Sequence, residues 1–191
     1  MKLFPKSYKS QSDESLMQLL LNKEQKAFEE LYARYSRKLL NYFYNNLAFE
    51  TAKAQDFLHD LFLKIIEKPE YFDSSKSFKS WIYTLATNMI KNEYKKQQVR
   101  SDYFDQEKVK QEIYLHTFDL DMDLKHFATE LQSELNQLDA DCNLLFSLRY
   151  HEELSIPEIA QILQIPEGTV KSRLFYLVKK LSNKLILYKP N

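Results

Sequence analysis

Residues 169–180 hold the side chains best suited to a definite chemistry. Thr169, Lys171, Ser172, Arg173, Phe175, Tyr176, Lys179 and Lys180 stand between apolar residues that recur every three or four positions: Val170, Leu174, Leu177 or Val178, and Leu181. Wound into a helix, this pattern puts an apolar stripe on one side and cations, hydroxyls and two aromatic rings on the other. No acid follows Glu167 to the last residue. Uncompensated cations and hydroxyls at a helix N-terminus bind phosphate, and a helix so furnished suits the major groove of DNA. A solvated amphipathic helix would carry the same charges, so the segment before it decides.

That segment, SIPEIAQILQIPEGTVKSRL, opens with Ser155, has Pro157 in the first turn and Glu158 three residues after the serine. This is the pattern of a capping box with proline early in the helix. Ile159, Ala160, Ile162 and Leu163 give a short helix ending near Gln164, and Pro166 forces a break before Glu167-Gly168-Thr169 starts the next one. A short helix, a tight turn and a longer second helix make a helix-turn-helix, which favours DNA binding over a merely solvated face. Gly168 is the only glycine among 191 residues. Its position predicts a tight helix entry close to DNA, where a side chain would be in the way.

Other chemistries find little support. Cys142 is alone, so it forms no internal disulfide and no zinc site by itself, and it reads as a small apolar residue. His59 beside Asp60 lacks a third group for acid–base work, and the four histidines share no metal-ligand spacing. There is no glycine-rich phosphate loop and no nucleophile–base pairing, so no catalytic residue, cofactor or metal is expected. The first residues, MKLFPKSYKSQSDES, have no apolar core, and no run approaches the roughly 20 apolar residues that span a bilayer. The expectation is a cytoplasmic protein without membrane insertion.

The elements that must position these residues are helices. One glycine and five prolines leave few tight turns, and long stretches of Leu, Glu, Lys, Gln and Ala favour helix, so the fold class is all-α. Apolar spacing predicts helices from Asp13 to Tyr44, the first capped by Asp13 or Ser12 and the second by Asn22. Another covers Thr51 to Glu67, with a stripe of Phe57, Leu58, Leu61, Phe62, Ile65 and Ile66. A fourth spans Ser77 to Gln98, with Phe78, Trp81, Ile82, Leu85, Ala86, Met89 and Ile90 inward. Helices over Leu124–Leu138 and Ala140–His151 begin a second module. Net charge is zero only by cancellation: residues 74–100 hold 6 basic and 1 acidic group, 101–141 hold 3 and 11, and 168–191 hold 6 and 0. We expect a first helical domain over 1–100, an acidic linker over 101–127 and a helix-turn-helix domain over 128–191.

At this point the residues resemble a family. LSIPEIAQILQIPEGTVKSRL resembles region 4 of the extracytoplasmic-function (ECF) sigma factors of the sigma-70 family. AKAQDFLHDLFLKIIEKPEYFDSSKSFKSWIYTLATNMIKNEYKK resembles region 2, with an acidic helix, a loop, and F-x-x-W-(aliphatic)-x-x-(aliphatic)-A-x-N. The resemblance implies a non-enzymatic initiation factor that binds core RNA polymerase and directs it to promoter DNA. Its first domain would dock on the β′ clamp helices and open the −10 element, and its second would sit on the β flap and read the −35 element. It implies −35 contacts at Thr169, Lys171, Ser172, Arg173, Phe175, Tyr176 and Lys179. It implies −10 contacts at Asn88, Lys91, Asn92, Tyr94, Lys95 and Lys96, with base capture in the loop Tyr71–Lys79. Polymerase docking would fall on Asp56, Phe57, Asp60, Leu61 and Lys64. The family also implies an inhibitory anti-sigma factor, often a membrane protein.

The chain departs from the family pattern in three places. Gln164 stands where the turn usually has glycine, which predicts altered backbone angles. Leu-Asp-Ala-Asp-Cys-Asn over 138–143 replaces a stretch usually bearing proline and arginines, and Tyr176 replaces a common arginine. On the residues alone two other readings stand: a dimeric helix-turn-helix regulator of operator DNA, and a helical interaction protein with incidental basic patches.

Overall fold

With one glycine in the chain, every left-handed backbone position must be taken by another residue. In the computed structural model the described residues are 7–103, 127, 129–131, 133–135 and 137–185. Among them positive φ falls on Lys23, Ala48, Phe49, Glu153 and Gln164, and Gly168 is not one of these positions. Each of the five closes a helix or a turn. Among the described residues every regular element is helical: α1 Asp13–Leu21, α2 Gln25–Asn46, α3 Thr51–Glu67, α4 Phe78–Tyr103, α5 Ala140–Phe146, α6 Ile156–Leu163 and α7 Glu167–Leu185. Short 3-10 turns occupy Tyr8–Ser10 and Pro69–Tyr71, and a π-type turn over Ser147–His151 follows α5.

The chain divides into two compact units between Ile90 and Lys91. In the first, α2 packs against both α1 and α3. Leu31, Leu39, Phe43, Leu61, Phe78, Ile82 and Ile90 are its buried centre. Tyr42 and Thr87 are buried there too, and their hydroxyls share a hydrogen bond of 2.9 Å. That bond removes the cost of burying two polar groups. An aromatic cluster closes one side: Phe78 meets Phe72 and Tyr35 edge-on, and Trp81 lies 5.2 Å from Phe72. Trp81, expected as core, is only half-buried, while Tyr83, outside the expected stripe, is fully buried.

Arg34 on α2 fastens the chain ahead of α1. Its Nη1 donates to the Gln11 carbonyl at 3.0 Å and to Asp13 Oδ1 at 2.6 Å, and its Nη2 to the carbonyls of Tyr8 at 3.2 Å and Lys9 at 3.0 Å. Its Nε donates to Glu30 Oε1 at 2.8 Å. Beside it, the Tyr35 hydroxyl donates to Asp13 Oδ2, and burial together with that carboxylate pushes the phenol pKa up.

The helix ends show what punctuated the chain. Ser12 caps α1, accepting from Ser15 N–H at 3.2 Å. Asn22, expected to cap the second helix, instead closes the first: its Nδ2 donates to the Gln18 carbonyl, and Lys23 turns left-handed behind it. α3 ends at Glu67, with Pro69 two residues beyond. α4 has no such stop and runs on to Tyr103 rather than Gln98. The acidic linker expected over 101–127 therefore begins inside α4, and residues 104–126 lie outside the described residues.

In the second unit Leu135, Leu177, Leu181 and Leu185 form a buried cluster, flanked by Phe127, Leu131, Leu138, Cys142 and Phe146. The described residues of the helix expected over 124–138 are mostly helical. Asp139 caps α5 by accepting from Cys142 N–H at 2.8 Å, which holds its carboxyl below the usual range. The acidic stretch over 138–143 thus supplies the cap of this helix. Ser155 and Glu158 form the expected capping box, with Ser155 N–H donating to Glu158 Oε2 at 2.7 Å.

Gln164 corrects an expectation. It closes α6 at φ 57° and ψ 44°, and the next N–H, of Ile165, returns to the Ala160 carbonyl at 3.1 Å. This is the geometry a glycine would take, adopted by a residue that bears the left-handed strain. The turn therefore takes the left-handed angles that favour glycine, with glutamine in that place. Gln164→Gly is expected to stabilise the second unit by about 1 kcal/mol. A higher urea midpoint at unchanged slope would show it, and a lower midpoint would mean that the glutamine side chain contributes more than the strain costs.

Candidate nucleic-acid and polymerase interface

The apolar stripe of α7 settles which way its other side chains face. Val170, Leu174, Leu177, Leu181 and Leu185 are buried, whereas Val178, the alternative to Leu177, is 45% exposed. Lys171, Ser172, Arg173, Phe175, Tyr176 and Lys179 are all exposed, and Thr169 is half-buried at the start of the helix. Phe175 and Tyr176 stand 63% and 67% exposed, with rings 5.5 Å apart and nearly perpendicular. Two large rings held in water contribute nothing to the core and present a surface for stacking or apolar contact. Ser172 Oγ donates to the Thr169 carbonyl at 3.1 Å.

The cations of α7 are not equivalent. Lys184 is spent inside the unit, paired with Glu134 and donating to Gln137 Oε1 at 3.3 Å. Lys171 lies 3.8 Å from Glu167, with both side chains largely in water, so the pair contributes under about 1 kcal/mol and yields readily to a phosphate. Arg173 and Lys179 are exposed on the same helix. Gly168 sits beside this face with nothing within 4 Å of where a Cβ would stand. The fold itself leaves room for a side chain there.

On α4, Asn88, Asn92, Lys95 and Lys96 are exposed at helical spacing and share a face, with Lys91 half-buried beside them. Tyr94 differs from the expectation: burial pushes its phenol up to about 12, against a hydrogen bond with Asn143 of the same unit. It is less available than its neighbours. Ahead of α4, Tyr71 is 67% exposed, with the Lys68 ammonium 5.2 Å from its ring centroid. The turn after it is built by Asp73, which accepts from the Ser75 hydroxyl at 2.7 Å and the Ser75 N–H at 3.0 Å. Those bonds hold the Asp73 carboxyl below its usual range.

On α3, Asp56, Asp60 and Lys64 are exposed, but Leu61 is 0% exposed and Phe57 packs edge-on against Phe43. Leu61 belongs to the core and Phe57 is half-buried. The apolar surface of this helix comes instead from Leu63 and Ile66, both exposed, Ile66 contrary to its place in the expected stripe. The signal was present in the sequence: LFLKII is a broader apolar run than one helix face can bury, so some of it must face out. Among the described residues no three His, Cys, Asp or Glu side chains group as metal ligands, and no helix is long and apolar enough to cross a membrane.

The order of these parts along the chain matches known proteins. The profile "Sigma-70 region 2" matches residues 31–100 and the profile "Sigma-70, region 4" matches residues 128–181, together more than half of the chain. The chain belongs to the sigma-70 family. Within it the ECF group is the match. The ECF RNA polymerase sigma-E factor of Haemophilus influenzae is 27% identical over 186 residues, covering 91% of this chain and 95% of the relative. That of Escherichia coli K12 is also 27% identical over 186 residues, covering 91% and 94%. Two solved structures share the fold. CnrH, in complex with the cytosolic domain of CnrY, gives a TM-score of 0.68 at 20% identity, covering 93% of this chain and 99% of that one. RpoE of Bartonella quintana, in complex with the anti-sigma factor NepR, gives 0.70 at 21%, covering 86% and 99%. Sigma factors belong to a non-enzymatic class of transcription factors.

Proposed function

We propose that this sigma factor docks on core RNA polymerase through the exposed face of α3, opens the −10 element with the loop before α4 and the exposed face of α4, and reads the −35 element with α7. As an ECF sigma factor it directs core polymerase to promoters and initiates transcription. The observation that carries the division of labour is the outward face of α7: cations, hydroxyls and two exposed rings on a helix entered from a capped helix-turn-helix. Lys171, Arg173 and Lys179 supply phosphate contacts, while Ser172, Phe175 and Tyr176 reach base edges. With tyrosine at 176 in place of arginine, the −35 sequence need not be that of any relative. Gly168 keeps the helix entry clear where the backbone meets DNA, so the demand for glycine comes from the complex and not from the fold.

On α4, Asn88, Asn92, Lys95 and Lys96 track the melted strand, and the loop from Tyr71 supplies a stacking surface for an extruded base. Asp56, Asp60, Leu63 and Lys64 meet the β′ clamp helices, and the second unit sits on the β flap. CnrH and RpoE were each captured with a protein partner, and the same class of control fits here: an anti-sigma factor, of membrane or soluble origin, covers these faces. The protein acts in the cytoplasm and has no enzymatic activity of its own. A net charge of zero implies weak binding to free duplex DNA, since affinity for duplex scales with the phosphates neutralised.

Reconstituted transcription tests this reading. Purified protein added to core polymerase over fragmented genomic DNA should yield discrete RNA starts sharing two upstream elements. Leu63→Asp should weaken co-purification with core polymerase without unfolding the exposed α3 surface that carries it. Tight duplex binding without polymerase, and no discrete starts, would instead indicate an operator-binding regulator.

A further inference from the structure

The first amide of α4 has no partner within its own helix, as for any residue at a helix start. Here the partner comes from far away in sequence. Phe78 N–H donates to Glu14 Oε1 at 3.0 Å, a bond between the first turn of α1 and the first residue of α4. Ser77 completes the cap: its Oγ accepts from Ser80 N–H at 3.3 Å and its carbonyl from Trp81 N–H at 3.1 Å. The other end of the loop is held by the same helix, because α1 also touches the Pro69–Tyr71 turn. Between these ends stand Phe72, buried against Phe78 and Trp81, and the Asp73–Ser75 turn.

We propose that Glu14 is a positioning residue for promoter opening: by capping α4 it fixes the loop over 71–77 that meets the −10 element. The inference rests on the reading of that loop given above and adds a residue of α1, which lies ahead of the matched region 2, residues 31–100. Three features support it. A carboxylate at a helix N-terminus is favoured by the helix dipole as well as by the hydrogen bond. The bond from Phe78 N–H holds the Glu14 carboxyl below its usual range, so it is ionised at neutral pH. And Asp13, next to it, is engaged by Arg34 and Tyr35, which fixes the start of α1 on α2 so that Glu14 has a rigid base.

The test compares a fully paired promoter with the same promoter pre-melted across the −10 element, using reconstituted holoenzyme and wild-type, Glu14→Ala, Glu14→Gln and Tyr71→Ala proteins. Glu14→Ala should lose about tenfold in transcription from the paired template, the effect of losing one charge-assisted hydrogen bond. It should recover on the pre-melted template and bind core polymerase as wild type does. Glu14→Gln keeps an acceptor and should retain most activity. Equal loss on both templates would mean that Glu14 serves folding or docking, and no loss on the paired template would mean that it positions nothing; either overturns the proposal. If Tyr71→Ala opens the paired promoter normally, the loop reading falls and takes the proposal with it. If Tyr71→Ala fails and Glu14→Ala does not, only the role of Glu14 is refuted.

Discussion

Replacing Lys171 and Arg173 together by alanine is expected to lower transcription from a promoter that uses its −35 element roughly 30- to 150-fold, taking each phosphate or base contact at about 1–1.5 kcal/mol. Both side chains are exposed on α7 and neither touches the core, so the variant should melt like the wild type. Polymerase binding through α3 should be unchanged. The salt dependence of promoter binding should also flatten, since two phosphate-neutralising cations are gone. Lys184→Ala makes the contrast. Its ammonium is already paired with Glu134, so it should cost the second unit stability and leave DNA recognition nearly intact. If the double variant transcribes at the wild-type level, α7 does not read promoter DNA and the assignment of the −35 contacts is wrong.

The largest effect on stability is expected from Phe78→Ala. Phe78 is fully buried and meets Tyr35, Phe72 and Trp81 ring to ring. Emptying such a site costs about 3–5 kcal/mol in lost burial and residual cavity. A unit of this size has a total stability of only about 5–13 kcal/mol, so one substitution removes a large share. The unfolding midpoint of the first unit should fall by roughly 15–30 °C, followed by near-ultraviolet circular dichroism, which reports the packed rings. Phe78→Leu, which refills most of the volume, should restore the greater part. A drop of only a few degrees for the alanine variant would show that the cluster collapses around the gap.

Much of this was legible in the sequence wherever local and long-range signals agreed. α3 was readable because an apolar stripe at helical spacing runs from Phe57 and Pro69 stops it. The outward face of α7 was readable because a stripe at 170, 174, 177 and 181 leaves only one side for everything else. What the sequence did not disclose depended on tertiary choice. α4 runs five residues beyond Gln98 because the polar run KKQQVRSDY contains no breaker, so spacing alone had nothing to mark its end. Leu61 and Leu63 are identical in type and two residues apart, and packing on α2 buries one and exposes the other. Tyr83 entered the core because Tyr42 offers an edge-on partner from α2, at a centroid distance of 5.5 Å. The link between Glu14 and Phe78 spans 64 positions and leaves no periodic trace.

The way Arg34 fastens the first residues has a consequence for how the chain can vary. Three of its five contacts go to the carbonyls of Tyr8, Lys9 and Gln11, which every amino acid possesses. Those positions can therefore drift in identity while the latch stays closed, provided the backbone path is kept. The selective weight falls on residue 34 and on the two carboxylates it engages, Asp13 and Glu30. Lysine could not inherit the task, because a single ammonium cannot address three carbonyls and two carboxylates spread around a planar fork.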